Sequence, residues 1–330
     1  MKQYIIFGSL LIALISGCSS KQFYEPKELG DSWKKYENAP ETLVDVASNI
    51  ALLKDRTVLS KTQHIAIEIP ESHRVIASTP DWIISASIDG KMRLTSKADA
   101  TIQENIDLKK TVATANIQGD LLAVLFADNE MALYDIPSKA TLFKEQGGSV
   151  IALDGRMTPP FFMQTLVLFA TLDGKIIIVN SELKKRLRTV IVSSEDNFNN
   201  IIYAGVLNNK IVAATPYKII SMSQKDIRAQ YEIRNVVYAD DRIYITTKQG
   251  ELIALTPELQ VDTKLKFAFA HFLGMIDLGE KLYILEKEGY LIVVDKKSFE
   301  YSVHEVDIED GFVFVGEKEF YVDDEKIVLE

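Results

Sequence analysis

The 330-residue chain carries 37 Lys and Arg against 47 Asp and Glu, a net charge of −10, and 47 % of its residues are apolar. Acidity on this scale argues against a phosphate-tracking nucleic-acid binder and against electrostatic attachment to anionic headgroups, and favours a soluble domain with selective partners. One cysteine allows no internal disulfide, and the four histidines (His64, His73, His271 and His304) include no helical i, i+4 pair of the kind that assembles a zinc site.

The stretch "MKQYIIFGSLLIALISGC" opens the chain with one Lys, an apolar run from Tyr4 to Ile15, then small residues before Cys18. The run is short for a bilayer span and has secretory-signal architecture. Ile15-Ser16-Gly17-Cys18 resembles a bacterial lipobox. The resemblance implies cleavage before Cys18, diacylation of its thiol and acylation of its new amino group. Two or more acyl chains, at ~0.8 kcal/mol per buried methylene, anchor stably where one does not. An ordinary signal peptide with a coincidental cysteine, or an uncleaved anchor, stays open. Ser19, where Asp would retain a lipoprotein at the inner membrane, resembles lipoproteins sorted to the outer membrane. Loss of residues 1–17 removes Lys2 and leaves 36 basic against 47 acidic residues.

Residues 18–42, polar and interrupted by Pro26 and Pro40, read as the lipidated Cys followed by a tether. Its Phe23, Tyr24 and Trp33 either dock on the domain, touch headgroups, or ride on a mobile linker. Residues 43–330 read as one propeller domain.

Within that domain one pattern recurs: an apolar strand, a tight turn, a second apolar strand. Residues 82–96 turn at Asp89-Gly90, 121–136 at Asp128-Asn129 and 167–180 at Asp173-Gly174. Residues 210–223 turn near Pro216-Tyr217, 242–256 at Gln249-Gly250, 281–295 at Glu288-Gly289 and 319–330 around Asp323-Asp324. Asp-Gly pairs tolerate the positive φ of a tight hairpin. The turns are spaced 39 residues apart on average, close to the length of a four-stranded propeller blade. An all-β propeller of about seven four-stranded blades is expected, with eight left open by residues 43–61. The last repeat lacks a fourth strand, and "HIAIEI" (64–69) is expected to supply it. An N-terminal strand then closes the ring and removes an open sheet edge.

No Gly-x-Ser-x-Gly elbow and no phosphate-cradling Gly-rich loop is present. The pairs Asp240-Asp241 and Asp323-Asp324 fall at predicted turns, where Asp is favoured for bonding nearby backbone. The chain is therefore read as a non-enzyme without cofactor or metal. "DRIYITTKQGELIALTPE" and "LVLFATLDGKIIIVNSE" resemble the quinoprotein-type repeat. Quinone-dependent dehydrogenases carry that repeat with a Trp in most blades, whereas here only Trp82 lies within the blades. The other family that carries it is the BamB family of propeller lipoproteins. Similarity to BamB covers Cys18 with its signal and, loosely, residues 74–330. It implies a non-catalytic, periplasm-facing scaffold, lipid-anchored at the outer membrane, whose envelope protein partners belong to a β-barrel assembly complex. A periplasmic accessory to a respiratory or redox enzyme is the alternative, and an enzyme the third choice.

A propeller binds proteins through its rims, and loops carry function disproportionately. Most links between first and second strands are short, but "DGRMTPPFFMQ" (154–164) reads as a longer one. Met157, Pro159, Pro160, Phe161, Phe162 and Met163 are the candidate partner-binding residues, since Met and aromatics are enriched in interface cores. The competing reading folds Phe161 and Phe162 over the central channel as a plug. On the opposite rim, Phe267, Phe269 and Phe272 of "KFAFAHFLG" read as strand core.

Overall fold

The computed structural model describes residues 22–330, so the expected signal peptide and Cys18 lie outside the described residues. Eight antiparallel sheets of four strands make up the fold. In chain order the blades are 43–65, 73–107, 112–146, 161–191, 203–230, 233–266, 272–305 and 313–328, numbered 1 to 8 below. The architecture is a β-propeller.

Alternation along each strand explains why the middle strands are apolar throughout. In blade 3, Leu122 and Val124 join the core shared with blade 2, while Ala123 and Leu125 join the core shared with blade 4. A strand buried on both faces has no solvent side on which polar residues would be free of cost. Every junction is built this way. Eight apolar clusters sit between consecutive blades, and the last joins Phe314 and Tyr321 of blade 8 to Leu43, Leu53 and Leu59 of blade 1. The outer strands are more polar and exposed, as in Lys185–Ile191, where six of the seven side chains are exposed and only Val190 is buried.

The predicted hairpins form, with one refinement. In blade 2 the loop has three residues, Ile88-Asp89-Gly90, and Gly90 takes φ 89° as the last of them. A three-residue hairpin needs a left-handed residue there, which glycine adopts without strain. At Gly250 a side chain is excluded twice, by φ 76° and by the Phe267 carbonyl 2.1 Å from where a Cβ would stand. A hydroxyl at the end of the second strand ties the same turn in four blades. Ser87 accepts from the Lys91 N–H at 3.1 Å, Thr171 from Lys175 at 3.0 Å, Thr215 from Lys218 at 3.2 Å and Thr247 from Glu251 at 3.2 Å.

Ring closure differs from expectation in the strand that performs it. The fourth strand of blade 8 is Tyr36–Asn38, paired antiparallel with Glu325–Val328 through Tyr36↔Ile327, Glu37↔Lys326 and Asn38↔Glu325. His64–Ile65 is instead the outer strand of blade 1, and Ile67 and Ile69 beyond it fill the core between blades 1 and 2. Residues 43–61 supply the other three strands of that blade, whose members are only three or four residues long.

The tether boundary moves with the closing strand. Tyr24 is buried and makes edge contacts with Phe267 and Tyr290. The Gly30 and Trp33 N–H groups donate to the Val303 and Glu305 carbonyls, which caps the outer edge of blade 7. The Trp33 indole N–H donates to the Val328 carbonyl at 3.0 Å. Residues 24–42 are thus a docked strap across blades 6, 7 and 8 rather than a free linker.

Candidate functional site

Propeller strands run alternately, so turns between first and second and between third and fourth strands share a front rim. Second-to-third turns and inter-blade connections share the back rim. The segment 154–164 lies on the back rim: most of it belongs to the connection 147–160 between blades 3 and 4, the longest such connection among the described residues. Phe161–Met163 are the short inner strand of blade 4, paired with Leu166–Ala170. Here the expected loop is corrected. Pro159 and Pro160 have no N–H for a ladder, so the inner strand starts late and the chain before it is irregular.

The candidate residues separate accordingly. Phe161 and Met163 pack on the core between blades 4 and 5, and Phe162 on the core between blades 3 and 4. Pro160 is buried, and its carbonyl accepts from the Asn116 amide at 2.9 Å. Met157 packs on the core between blades 3 and 4 and lines the central channel. Neither ring of the Phe pair is a lid over the channel. Of the second candidate set, Phe267 and Phe272 are buried as expected, whereas Phe269 is 57 % exposed.

Three buried asparagines fix the long connections 147–160 and 192–202, and one of them, Asn200, ties the two together directly. Asn129 accepts from the Leu172 N–H at 2.8 Å and donates to the Gly148 carbonyl at 3.0 Å. Asn199 donates to the Asp173 and Ser193 carbonyls. Asn200 accepts from the Asp154 N–H at 2.8 Å and donates to the Asp154 and Arg156 carbonyls at 3.2 and 2.7 Å. Amides carry both a donor and an acceptor, so one side chain can satisfy strandless backbone that would otherwise be left unpaired.

What these staples present is apolar. Ile151 is 82 % exposed, Ile191 52 % and Phe198 44 %. Phe198 donates its N–H to the Ala152 carbonyl, and Ile151 and Ile191 line one groove of about 310 Å³ with Asp173 and Lys175 in its floor. Clustered exposed apolar residues on ordered loops mark interaction surfaces. Burial raises the Asp173 carboxyl, but hydrogen bonds from Lys175, Thr171 and Asn129 outweigh it and hold the group below its ordinary value. Sequence reasoning missed the 192–202 half of this surface. Its available signal was Asn199-Asn200 closing a polar run of unusual length.

Beside this patch the connection reaches into the channel mouth. Arg156 binds Asp154 through two nitrogens, Nε to Oδ1 at 2.7 Å and Nη2 to Oδ2 at 2.5 Å, and its Nη1 donates to the Arg234 carbonyl on blade 6. A side chain from before blade 4 thereby spans past blade 5. Burial raises the Asp154 carboxyl, and the Arg156 hydrogen bonds and charge more than reverse this. No group of three or more His, Cys, Asp or Glu side chains placed to hold a metal occurs among the described residues.

Asn200→Ala leaves the Asp154 N–H and two carbonyls without their buried partner, at a cost of about 1–3 kcal/mol. We expect faster hydrogen exchange and proteolysis confined to 147–160, with the blade hairpins unchanged. Protection identical to wild type would show that the staple does not order this surface.

The model of the KIB1-4 beta-propeller family matches residues 53–322. The chain belongs to that family. Among curated relatives, the plasminogen-binding protein PgbB of Helicobacter pylori J99 is 29 % identical over 93 % of this chain, and PgbB of strain 26695 is 34 % identical over 63 % of it. The chain spans 66 % of the length of the first and 39 % of the second. Among solved structures, BamB from Moraxella catarrhalis superposes with a TM-score of 0.68 at 13 % identity, covering 89 % of this chain and 98 % of that one. The designed Ika8 protein gives 0.64 at 14 % identity, covering 91 % of this chain and all of that one. At such identities these likenesses show the fold.

Proposed function

We propose that this family member is a non-catalytic, protein-binding propeller lipoprotein, held at the outer membrane through Cys18, and that it engages plasminogen through the back rim. The observation that carries the reading is sequence kinship along 93 % of the chain with a protein named for plasminogen binding. The back-rim patch of Ile151, Ile191 and Phe198 supports it, because a few desolvated apolar anchors dominate most protein interfaces. Assembly of outer-membrane β-barrels, which the resemblance to BamB implies, is the second reading. The lipobox-like 15–18 followed by Ser19 favours a membrane-facing role of that kind.

Capture of purified plasminogen by the full lipidated chain tests the first reading, with Ile151→Ser, Phe198→Ser as the comparison. We expect binding that weakens at least about tenfold in the variant while its melting temperature holds, as expected for hot-spot truncation. No binding by the wild type, or equal binding by the variant, refutes the back-rim reading. Crosslinking to a β-barrel assembly complex in cells would then favour the second. Cys18→Ser separates the anchor from both: it should leave the protein unprocessed or release it from membranes, and processing with unchanged membrane attachment would refute lipidation.

A further inference from the structure

A cavity of about 430 Å³ runs along the central channel from the front-rim turns at Ser48 and Lys61 to the back-rim connection at Arg156, and beside Lys61 its charged lining consists of Arg74, Arg156 and Arg234. In a chain with ten more acidic than basic residues, this concentration of guanidinium groups is out of keeping with the rest of the surface. Two of the three have acidic partners. Arg156 is forked on Asp154, and Arg74 lies 3.7 Å from Asp45. Arg234 is different. Its Nε is shut away from solvent with no hydrogen-bond partner among the described residues. Asp154 is the acid that offsets it, yet both oxygens of that carboxylate already receive Arg156. Burial and the Arg156 charge both disfavour the Arg234 cation, in that order.

A half-buried guanidinium facing another cation costs free energy unless an anion completes it. Structural arginines normally resolve this by forking on a carboxylate of their own chain, as Arg156 does. The inner strand of blade 6 brings none to Arg234; its neighbours at the wall are Asn235, Val236 and Val237. The Asn235 amide is turned away to the Thr246 hydroxyl at 2.9 Å.

We propose that the back mouth of the channel is a carboxylate-binding site in which the two terminal nitrogens of Arg234 supply the fork and Arg74 the second positive charge. The ligand is a carboxylate from a free polycarboxylate or from an acidic side chain inserted by a docked protein. A planar carboxylate fits the guanidinium with two parallel hydrogen bonds, which a point cation such as Lys does not offer. The acidic exterior repels polyanions in general, so the mouth selects those that can reach into it. The inference stands whichever protein binds the back rim.

Titration calorimetry at low ionic strength, where surface charge is least screened, tests it with two probes, citrate and hexaglutamate. Binding of either to the wild type, weakened roughly tenfold or more in Arg234→Gln, is the expected result. Binding of citrate would identify a free small ligand as sufficient, and binding of hexaglutamate alone an acidic chain. A melting measurement keeps the proposal decidable should the variant bind nothing. In carboxylate-free buffer Arg234→Gln should melt no lower than wild type, since it removes an uncompensated charge, and added citrate should raise only the wild type. No binding of either probe by the wild type, equal binding by the variant, or a variant that melts well below wild type without ligand would overturn it.

Discussion

Removal of residues 22–42 is expected to lower the melting temperature by roughly 10 °C, at about 2 °C for each kcal/mol in a chain of this size. The truncation takes away the fourth strand of blade 8 and the three aromatics of the strap. Tyr24 is buried, and Trp33 and Tyr36 pack on the core between blades 7 and 8. Burial of such side chains is worth ~1.5–3 kcal/mol each, so the strap contributes on the order of 5 kcal/mol before its ladder bonds are counted. Truncation also bares the edge of Glu325–Val328, and an open edge invites pairing with another chain. Self-association on size-exclusion chromatography should accompany the lower melt. Equal melting temperatures for the two chains would show that the ring holds without its clasp.

A smaller but still measurable loss is expected for Lys296→Met. The ammonium, 4 % exposed, bridges Asp240 of blade 6 at 2.6 Å and Asp277 of blade 7 at 2.7 Å. Burial opposes the Lys296 charge, but the hydrogen bonds to Asp240 and Asp277 outweigh it and raise its pKa above 10.5. Substitution leaves the half-shielded Asp277 without its cation, while the solvated Asp240 loses only an exposed partner. The cost is about 2 kcal/mol, below the 3–5 measured for fully buried pairs because water still reaches both acids. The pH dependence has a definite sign. Asp240 is held below its ordinary 3.8, first by the Lys296 hydrogen bond and then by its charge. Stability from a depressed carboxyl is complete above pH 3.8 and is lost as pH falls through the folded value. The gap between wild type and Lys296→Met should therefore be full at pH 7 and narrow below pH 4. A gap constant across that range would mean that Met fails for reasons of packing alone.

The hairpins were legible because their determinants are local. A run such as 167–180 contains its strands, its turn and the glycine the turn requires, so no distant partner has to be known. Closure was not local. Tyr36–Asn38 is three residues of no strand-like character, and it is a strand only because Glu325–Val328 offers an unpaired edge. His64–Ile69, with its clear alternation, drew the assignment that belonged there. Blade 1 was obscured for a related reason: strands of three or four residues are too short to show a period. At the candidate site, prolines 159 and 160 pointed correctly to an unusual connection. Its rim was misassigned because Phe161–Met163, a strand by pairing, reads as part of the loop. The partner cation of Asp154 could be guessed at two residues' distance. The approach of Arg156 to Arg234 across the channel could not, since 78 residues separate them.

The clasp also sets an order of events. Blades 1 to 7 are each made of consecutive strands, so every one can assemble from the stretch of chain that has just become available. Blade 8 cannot. Tyr36 and Ile327 meet across some 290 residues, and closing so long a loop costs about 2 kcal/mol more entropy than closing a blade-sized one. The first strand among the described residues is thus expected to be the last to find its place. Until then its pairing groups stay open, and the nascent ring is a crescent with two free ends.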